Sequence, residues 1–379
     1  MDAPEPGEPR PRVLRGVRVL RAAHGGHCVA RHEGQVVFVR HAAPGELVDV
    51  EVTQERSKFL RGDAVAVLQA ADGRRTPPCP IAGQCGGCDF QHLVPAASRE
   101  VKRQVVAELL GHVGVAFDGE VEAAPVDDLG WRTRMRYHDA DGRPGLMAHR
   151  SRQAVALPEG GCRIACGGIA DPDTPGVAAL TADGPVLRPE SDARDQVVRQ
   201  VATGRSFDVR LDGFWQPHTS APDTLTQAVL EAAEPTPDAV VFDLYAGVGV
   251  FAGALADAGC RVWGVEGQRD AVELAARNVP GATFVAGDVA RVLPRLPARA
   301  DAVVLDPPRA GAGASVMARL CATHPRVIVY VACDPAALAR DLAFAGQHGY
   351  AASAVRAVDL FPNTRHVECV ATLRAGSSS

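Results

Sequence analysis

The second half of the chain alternates strictly between apolar strand-like segments and helix-like segments. From Asp238 onward the strand patterns AVVFDLY, RVWGVE, ATFVAGD, DAVVLDPP and RVIVYVAC are each followed by a segment with helical spacing of apolar residues. Such alternation predicts an α/β fold with a doubly wound parallel sheet, because each parallel crossover lays a helix on one face. The last two strand patterns, SAVRAVDLF and HVECVATLR, have no helix between them, so we expect an antiparallel hairpin on this sheet.

The chain divides into four predicted parts. Residues 1–11 are polar and Pro-rich and are expected to be a disordered tail, as is the C-terminal AGSSS. Residues 12–70 hold short strand patterns broken by Gly and Pro turns, which predict a small closed β-barrel. Residues 71–205 form a mixed central part with a helix at 95–113, which we expect either here or packed on the catalytic domain. Residues 206–374 carry the α/β pattern.

Composition narrows the class of protein and its partners. Ten cysteines without a secretory signal indicate a reducing, cytoplasmic setting, where clustered thiols bind metal or catalyse rather than form disulfides. No apolar run is long enough to span a bilayer, so no membrane partner is expected. The net charge is −5, yet residues 10–103 hold 15 Lys and Arg against 9 Asp and Glu. A basic module on an acidic chain favours nucleic-acid binding, with a solvated surface as the alternative.

A short loop concentrates three cysteines with metal-ligand spacing. The pattern is Cys79-x5-Cys85-x2-Cys88, and a fourth ligand is expected from Cys162 or Cys166 in GGCRIAC. Four cysteines suit either Zn²⁺ or a [4Fe–4S] cluster. The Gly86-Gly87 pair lets backbone N–H groups approach sulfide, which favours the cluster over zinc. The alternative is a set of unconnected buried thiols.

A glycine turn follows the first strand of the alternating part. Asp243 precedes Gly247 and Gly249 in DLYAGVG, at the predicted start of a helix, where a ligand can approach the backbone. Glu266 ends the next strand, where an acid can bind the two hydroxyls of a ribose, and Asp288 ends the third, within reach of an adenine amino group. The third glycine of a dinucleotide site is absent, and the spacing is more typical of enzymes that use S-adenosylmethionine. The alternative for each acid is a solvated loop carboxylate.

A cysteine and a carboxylate form the candidate catalytic pair. Cys333 follows the strand VIVYV, where open α/β sheets bind ligands, and Glu368 lies 35 positions downstream. A thiol with an acid nearby can act as a nucleophile with a general base. The alternative is a buried structural thiol. Asp306 ends the fourth strand in DPPR, and Arg309 stands where amino-group methyltransferases usually carry an aromatic residue, which favours another acceptor.

The assembled motifs resemble the TRAM-domain, iron–sulfur RNA uracil-C5 methyltransferases over roughly residues 12–373. The resemblance rests on motifs that occur in the family's order: FVRHAAPGE, CPxxxxCGGC, FWQ at 214–216, DLYAGVG, DPPRAG, YVACDP and FPNTRHVE. It implies a Rossmann-like class I methyltransferase domain, an OB-like TRAM barrel and an iron–sulfur central domain. The implied function is S-adenosylmethionine-dependent methylation of uracil C5 in RNA, most typically 23S rRNA.

The resemblance also implies roles for individual residues. It makes Cys333 the nucleophile and Glu368 the base. It places around the cofactor and the target base Phe214, Gln216, Tyr245, Gly247, Gly249, Glu266, Asp288 and Asp306, and it makes the cluster ligands Cys79, Cys85, Cys88 and Cys162. Three positions depart from the family pattern, in which Asn is usual: Asp334, His218 and Val250. The alternatives are a tRNA methyltransferase and an inactive RNA-binding iron–sulfur protein. We expect a monomer with RNA as its partner and no obligate protein partner.

Overall fold

The computed structural model describes residues 12–376. The predicted tail at 1–11 and the last three residues of the AGSSS tail therefore lie outside the described residues. The strands are β1 to β20 in chain order: Val13–Ala23, His27–His32, Gln35–Arg40, Leu47–Glu55, Phe59–Gln69, Val121–Ala123, Arg134–Ala140, Arg143–Met147, Ala154–Ala156, Gly176–Thr181, Gly184–Arg188, Val197–Ala202, Arg205–Arg210, Val240–Leu244, Arg261–Glu266, Thr283–Ala286, Ala302–Leu305, Val327–Ala332, Tyr350–Asp359 and Glu368–Ala375. The helices are α1 to α8: Pro95–Gly111, Glu190–Ala193, Ala221–Ala233, Val250–Asp257, Arg269–Asn278, Val289–Val292, Ala314–Cys321 and Pro335–Gly346.

The first five strands close into a barrel in the order β1-β2-β3-β5-β4. Buried and exposed residues alternate along β1 and β3, and Val17, Val37 and Val48 fill the interior. Gly62 sits where β5 crosses closest to β4: a Cβ there would lie 2.4 Å from the carbonyl oxygen of Glu51. The predicted small barrel is confirmed, and its OB-like strand order is the one expected of a TRAM domain.

The alternating half of the chain forms one sheet of eight strands, in the order β16-β15-β14-β17-β18-β20-β19-β6. Strands β14 to β18 are parallel, and β20 is antiparallel to both β18 and β19, as predicted for the closing hairpin. Apolar cores cover both faces, one built around Ile328 and Tyr330 and the other around Val329 and Val331. The helix predicted after β16 is short, because the chain passes into a 3-10 turn at Leu293–Arg295, around Pro294.

Two elements from the central part of the sequence complete the catalytic sheet. Helix α1 buries Val106 and Leu110 in the same core as α7 and α8. Strand β6 then pairs in parallel with β19, matching Val121 with Ala357. The sequence pattern did not resolve this region, since a three-residue strand carries no periodicity. The edge of the catalytic sheet is thereby covered by a segment more than 200 residues earlier in the chain.

The remaining central strands form a separate antiparallel sheet and a hairpin. The sheet runs β11-β10-β7-β8-β9, and Trp131, Tyr137 and Ile164 lie in its core. Strands β12 and β13 pair as a hairpin, so the predicted boundary between residues 205 and 206 falls at the first residues of β13. None of the helices within residues 12–376 is both long and apolar enough to cross a membrane.

Candidate active site

A cavity of about 860 Å³ lies at the carboxyl edge of the parallel strands. The strand order reverses between β14 and β17, and open α/β sheets bind their ligands at such a point. Eight of the residues predicted for the site line this cavity: Phe214, Gln216, Tyr245, Glu266, Asp288, Asp306, Cys333 and Glu368. Gly247 and Gly249 are not part of the lining, whereas Val248 between them is.

The turn after β14 is held in an unusual backbone conformation. Tyr245, Gly247 and Gly249 have φ values of 63°, 54° and 92°, a left-handed region that glycine enters without steric cost. A Cβ at Gly249 would lie 3.2 Å from the ring of Phe284 on β16 and 3.2 Å from Val279, so the start of α4 packs closely against both. Gly247 donates its backbone N–H to Glu266 Oε2 at 3.1 Å. The glycines therefore shape the turn, and the turn fixes the acid at the end of β15.

Two further acids are anchored by backbone donors. Asp288 caps α6, with its Oδ1 accepting from the Arg291 N–H at 3.1 Å, and it stays on the cavity wall. Asp243 lies beneath the glycine turn, where its Oδ2 accepts from the Ala252 N–H at 2.9 Å. Burial above all raises the pKa of Asp243 to about 8. Asp243 thus orients the first turn of α4 and does not line the cavity.

Cys333 and Glu368 lie opposite each other at the end of an antiparallel strand pair. Strand β18 pairs with β20 so that Ala332 faces Cys369, and the next step of this register puts Cys333 beside Glu368. Residues opposite each other in antiparallel strands have Cα atoms about 4.5–5.5 Å apart. The thiol and the carboxyl are therefore brought together by two rigid strands.

Three ionisable groups share the closed end of the cavity. Burial, together with the nearby Asp306, raises the pKa of Glu368 well above its ordinary value. Burial also raises the pKa of the Cys333 thiol to about 12; Glu368 and Asp306 add to this, and Arg309 opposes it. Asp306 Oδ2 accepts from Gln216 Nε2 at 3.1 Å. Neighbouring buried carboxyls resist ionising together, which is why Asp306 adds to the rise in the pKa of Glu368.

The predicted metal-ligand cysteines line a second cavity, of about 400 Å³. Its walls include all four thiols of the predicted set: Cys79, Cys85, Cys88 and Cys162. Cys166, the other candidate for the fourth ligand, instead donates to the Gly130 carbonyl at 3.1 Å and does not line the cavity. Within residues 12–376 no three His, Cys, Asp or Glu side chains are arranged around a single point as ligands of one metal ion.

Arg132 connects the two cavities and was not predicted as a site residue. Its side chain lines both the large cavity and the cysteine cavity, and its Nε donates to the Arg134 carbonyl at 3.0 Å. Burial lowers the pKa of Arg132, while the nearby Cys162 and Cys88 thiols raise it. The segment WRTRMRY gives no signal that distinguishes Arg132, because arginine occupies every second position in it.

Comparison with known proteins gives the chain its family. A TRAM domain model matches residues 15–65, and a tRNA (uracil-5-)-methyltransferase model matches residues 297–375. An RNA methyltransferase of Streptomyces avermitilis is 42% identical, covering 94% of this chain and 97% of its own length. A 23S rRNA (uracil(1939)-C(5))-methyltransferase of Chromohalobacter salexigens is 32% identical over 94% of this chain and 89% of its own length. The chain belongs to the RNA (uracil-5-)-methyltransferase family.

A solved structure supports the same fold for this family member. The Pyrococcus abyssi tRNA (uracil-54, C5)-methyltransferase, in complex with S-adenosyl-L-homocysteine, superposes with a TM-score of 0.71 at 24% identity. The match covers 94% of this chain and 99% of that one. The class I methyltransferase fold and the N-terminal barrel expected from the sequence are confirmed, and the chain is a methyltransferase enzyme.

Asp334 stands where the family usually has Asn, and its carboxylate is held by hydrogen bonds to other parts of the chain. Its Oδ1 caps α8, accepting from the N–H groups of Ala336 and Ala337 at 3.0 and 2.9 Å. Its Oδ2 lies 3.1 Å from Nε2 of His24, which comes from the β1–β2 turn of the barrel. Although burial alone would raise the pKa of Asp334, these hydrogen bonds lower it to about 2. The hydrogen bonds of the carboxylate are thus directed to α8 and His24, although its charge adds to the rise in the pKa of Cys333.

The other two departures are structural. His218 is 1% exposed, stacks on Trp131 with ring centroids 5.4 Å apart, and accepts from the Ser220 N–H at 3.1 Å. Burial lowers the pKa of His218 to about 4, so the ring is neutral. Val250 begins α4 and packs against apolar residues of two cores. Neither side chain lines the large cavity.

Proposed function

We propose that this chain methylates C5 of a uridine in 23S rRNA, with S-adenosylmethionine as methyl donor, Cys333 as nucleophile and Glu368 as general base. The observation that carries the proposal is that Cys333 and Glu368, each one position beyond the paired Ala332 and Cys369, line one cavity with Glu266 and Asp288. A nucleophile with its base and two strand-end acids in one cleft is the arrangement that this reaction needs.

The chemistry explains the choice of side chains. Uracil C5 is a weak nucleophile, because its double bond is conjugated to a carbonyl. When the Cys333 sulfur adds to C6, a C–S bond forms, the thiol proton is released to solvent, and the electrons of the double bond move towards C5 and O4. S-adenosylmethionine, when bound, supplies the methyl group that C5 then accepts. The Glu368 carboxylate removes the C5 proton, the double bond forms again, and Cys333 leaves as a thiolate.

The polar residues around this pair suit the two ends of the reaction. Burial and the nearby Asp306 raise the pKa of Glu368, which makes its carboxylate a stronger proton acceptor than an exposed one. Asp306 and Gln216, joined by their hydrogen bond, are positioned to bind the polar edge of the uracil. Glu266 and Asp288 fit the ribose and adenine of the methyl donor, as acids at strand ends do in related folds. The turn next to the methyl donor is formed by Tyr245, Gly247 and Gly249.

The substrate is an unpaired or flipped uridine. Neither face of C5 and C6 is accessible in a stacked base, so the target must leave its stack to reach Cys333. Phe214 is 65% exposed on the cavity wall, where its ring can stack on a base. We favour ribosomal over transfer RNA because the relative that acts on 23S rRNA is 32% identical, against 24% for the structure of a tRNA enzyme.

The four thiols fit a [4Fe–4S] cluster better than zinc. Around one zinc ion all ligand sulfurs lie about 2.3 Å from the same point. In a four-iron cluster each thiolate binds a different iron, so the sulfurs are farther apart around a larger space. The four thiols line one cavity of about 400 Å³, which has room for a group larger than a single ion. The Gly87 N–H already donates to Cys85 Sγ at 3.3 Å, as a cluster ligand requires.

Nucleoside mass spectrometry tests the function. Ribosomal and transfer RNA are compared from cells with and without the gene. We expect the loss of one 5-methyluridine per 23S rRNA molecule, with transfer RNA unchanged, and its return with the wild-type gene but not with Cys333→Ala. Loss from transfer RNA instead would favour the tRNA alternative. An unchanged 5-methyluridine content in both fractions would contradict the proposal.

Iron analysis tests the cluster. Protein purified without oxygen should be brown and contain about four irons per chain. Cys85→Ala should lose the iron, because the cavity then has only three thiols. The matched control is Cys166→Ala, which removes a neighbouring buried thiol outside the cavity and should keep the iron. One zinc per chain with no visible absorbance would disprove the cluster.

A further inference from the structure

A third cavity, of about 420 Å³, adjoins the large cavity and shares Cys333 and Arg309 with it. Three parts of the chain meet around it. The barrel contributes Arg61 and Phe38, the central part contributes Arg150, and the catalytic part contributes Arg309 with Cys333. Its volume is within the range of cavities that hold small ligands. Cys333 therefore borders both this cavity and the larger one that we assign to the uracil.

The walls of the third cavity carry an excess of positive charge. Four arginines line it: Arg61, Arg150, Arg309 and Arg365. The carboxylate among the lining residues is Asp334, which is already bound to His24 and to the start of α8. Arg365 forms an ion pair with Asp89, with Nη1 3.5 Å from Oδ1. The other three arginines make no ion pair with any residue in the described range 12–376. The four arginines repel one another, and a bound anion would offset that repulsion.

Two observations show that the arginines are held in place despite this repulsion. The Arg61 guanidinium carbon lies 5.0 Å from the centroid of the Phe59 ring and 6.0 Å from that of Phe38. Its Nη1 donates to Gln54 at 2.9 Å, and its buried Nε has no hydrogen-bond partner in the described part of the chain. Arg150 takes a left-handed φ of 52°, a strained conformation for a residue with a Cβ. Strain and unpaired donors around a cavity are typical of a ligand site.

The positive charge of the arginines also affects the pKa values of two groups in this region, His27 and Arg150. Burial lowers the pKa of His27 to about 4, and Arg150 and Arg61 add to the effect. Burial also lowers the pKa of Arg150, followed by the charges of Arg61, Arg365 and Arg40. The imidazole of His27 is thus neutral at physiological pH, and the positive charge belongs to the arginines. The neighbouring arginines thus add to the effect of burial on both groups.

We propose that this cavity is a phosphate subsite, in which Arg61 and Arg150 bind a phosphodiester of the RNA strand next to the target uridine. The inference rests on the proposed function, because it is the uracil in the larger cavity that brings the backbone here. RNA is favoured over a free anion because Cys333 lies between the two cavities, so one strand can occupy both. Phosphate contacts position a substrate without reading its sequence. The subsite therefore fixes the distance between the flipped base and its backbone.

The test measures binding of unmethylated 23S rRNA substrate at several salt concentrations. Arg61→Ala and Arg150→Ala should each weaken binding and each reduce the slope of log K against log [salt] by about one unit. The matched control is Arg319→Ala, an exposed arginine on α7 outside the cavity, which should leave the slope unchanged. Melting temperature and S-adenosylhomocysteine affinity should equal those of the wild type in all three, which shows that the variants are folded.

Neutral linkages identify the phosphate. Methylphosphonate placed at each linkage around the target uridine should weaken wild-type binding at one linkage, and Arg150→Ala should lose no further affinity at that linkage. Wild-type affinity and salt slope in both arginine variants, in a protein that does methylate RNA, would overturn the subsite alone. A wild-type protein that forms no 5-methyluridine would overturn the proposed function and the subsite together.

Discussion

Replacing Cys333 by alanine should abolish the formation of 5-methyluridine, whereas Glu368→Gln should trap a covalent protein–RNA adduct. Loss of an enzymatic nucleophile lowers turnover by roughly 10⁴-fold or more. Cys333 is only half-buried and lines a cavity, so alanine is accommodated there and cofactor affinity should change little. In the Glu368→Gln variant, addition and methyl transfer still occur, but the C5 proton is not removed. The adduct should survive a denaturing gel.

Controls separate chemistry from folding. The double variant Cys333→Ala/Glu368→Gln should form no adduct, because the sulfur that makes the bond is gone. Cys369→Ala removes a fully buried thiol next to Glu368 on the same strand and should leave methylation intact. RNA containing 5-fluorouridine should trap the wild type in the same way, because fluorine cannot leave as a cation. A folded Cys333→Ala protein that still methylates RNA would refute the mechanism.

The second large effect concerns stability. Lys102→Met should lower the free energy of unfolding by about 3–5 kcal/mol, because it leaves Asp359 as an unpaired buried charge. Lys102 Nζ lies 2.6 Å from Asp359 Oδ1, both side chains are almost completely buried, and Nζ also donates to the Phe361 carbonyl at 3.0 Å. Thermal and urea unfolding, followed separately for each transition, measure the loss.

Two variants test whether the buried charge is the cause. Lys102→Met/Asp359→Leu should recover most of the lost stability, since replacing both members of a buried pair by apolar residues is often neutral or stabilising. Arg103→Ala, on the next residue of α1, breaks an exposed pair with Glu100 and should change stability by less than about 1 kcal/mol. Equal losses from Lys102→Met and Arg103→Ala would show that the buried ion pair is not what holds α1 in place.

The sequence predicted the parts of the molecule that rest on local pattern. Strand ends in an α/β sheet share one edge, so Glu266, Asp288, Asp306 and Cys333 could be expected in one cleft before any coordinates. The antiparallel hairpin also follows from the missing helix between the last two strands. Once β20 lies antiparallel to β18, Glu368 at the start of β20 comes next to the end of β18, which Cys333 follows.

Features that depend on distant packing were not predictable. The choice of Cys162 over Cys166 depends on which side of the 162–166 loop faces the cavity, and the spacing from the CGGC loop allows both. The contact of His24 with Asp334 joins residues 310 positions apart, and each is unremarkable in its own segment. Arg61 and Arg150 likewise acquire meaning only when the barrel and the central part meet above Cys333.

The place of β6 at the far edge of the catalytic sheet affects how the protein is made. Ribosomes release the barrel and the central part first, yet the partner of Val121–Ala123 is Tyr350–Asp359, which is synthesised more than 200 residues later. Lys102 lacks its partner Asp359 over the same interval. The nascent chain must therefore carry an unpaired strand and an uncompensated lysine until residues 350–359 have emerged. A ribosome stalled before residue 350 would hold an intermediate in which Val106 and Leu110 of α1 lack part of the core that covers them, a natural client for chaperones.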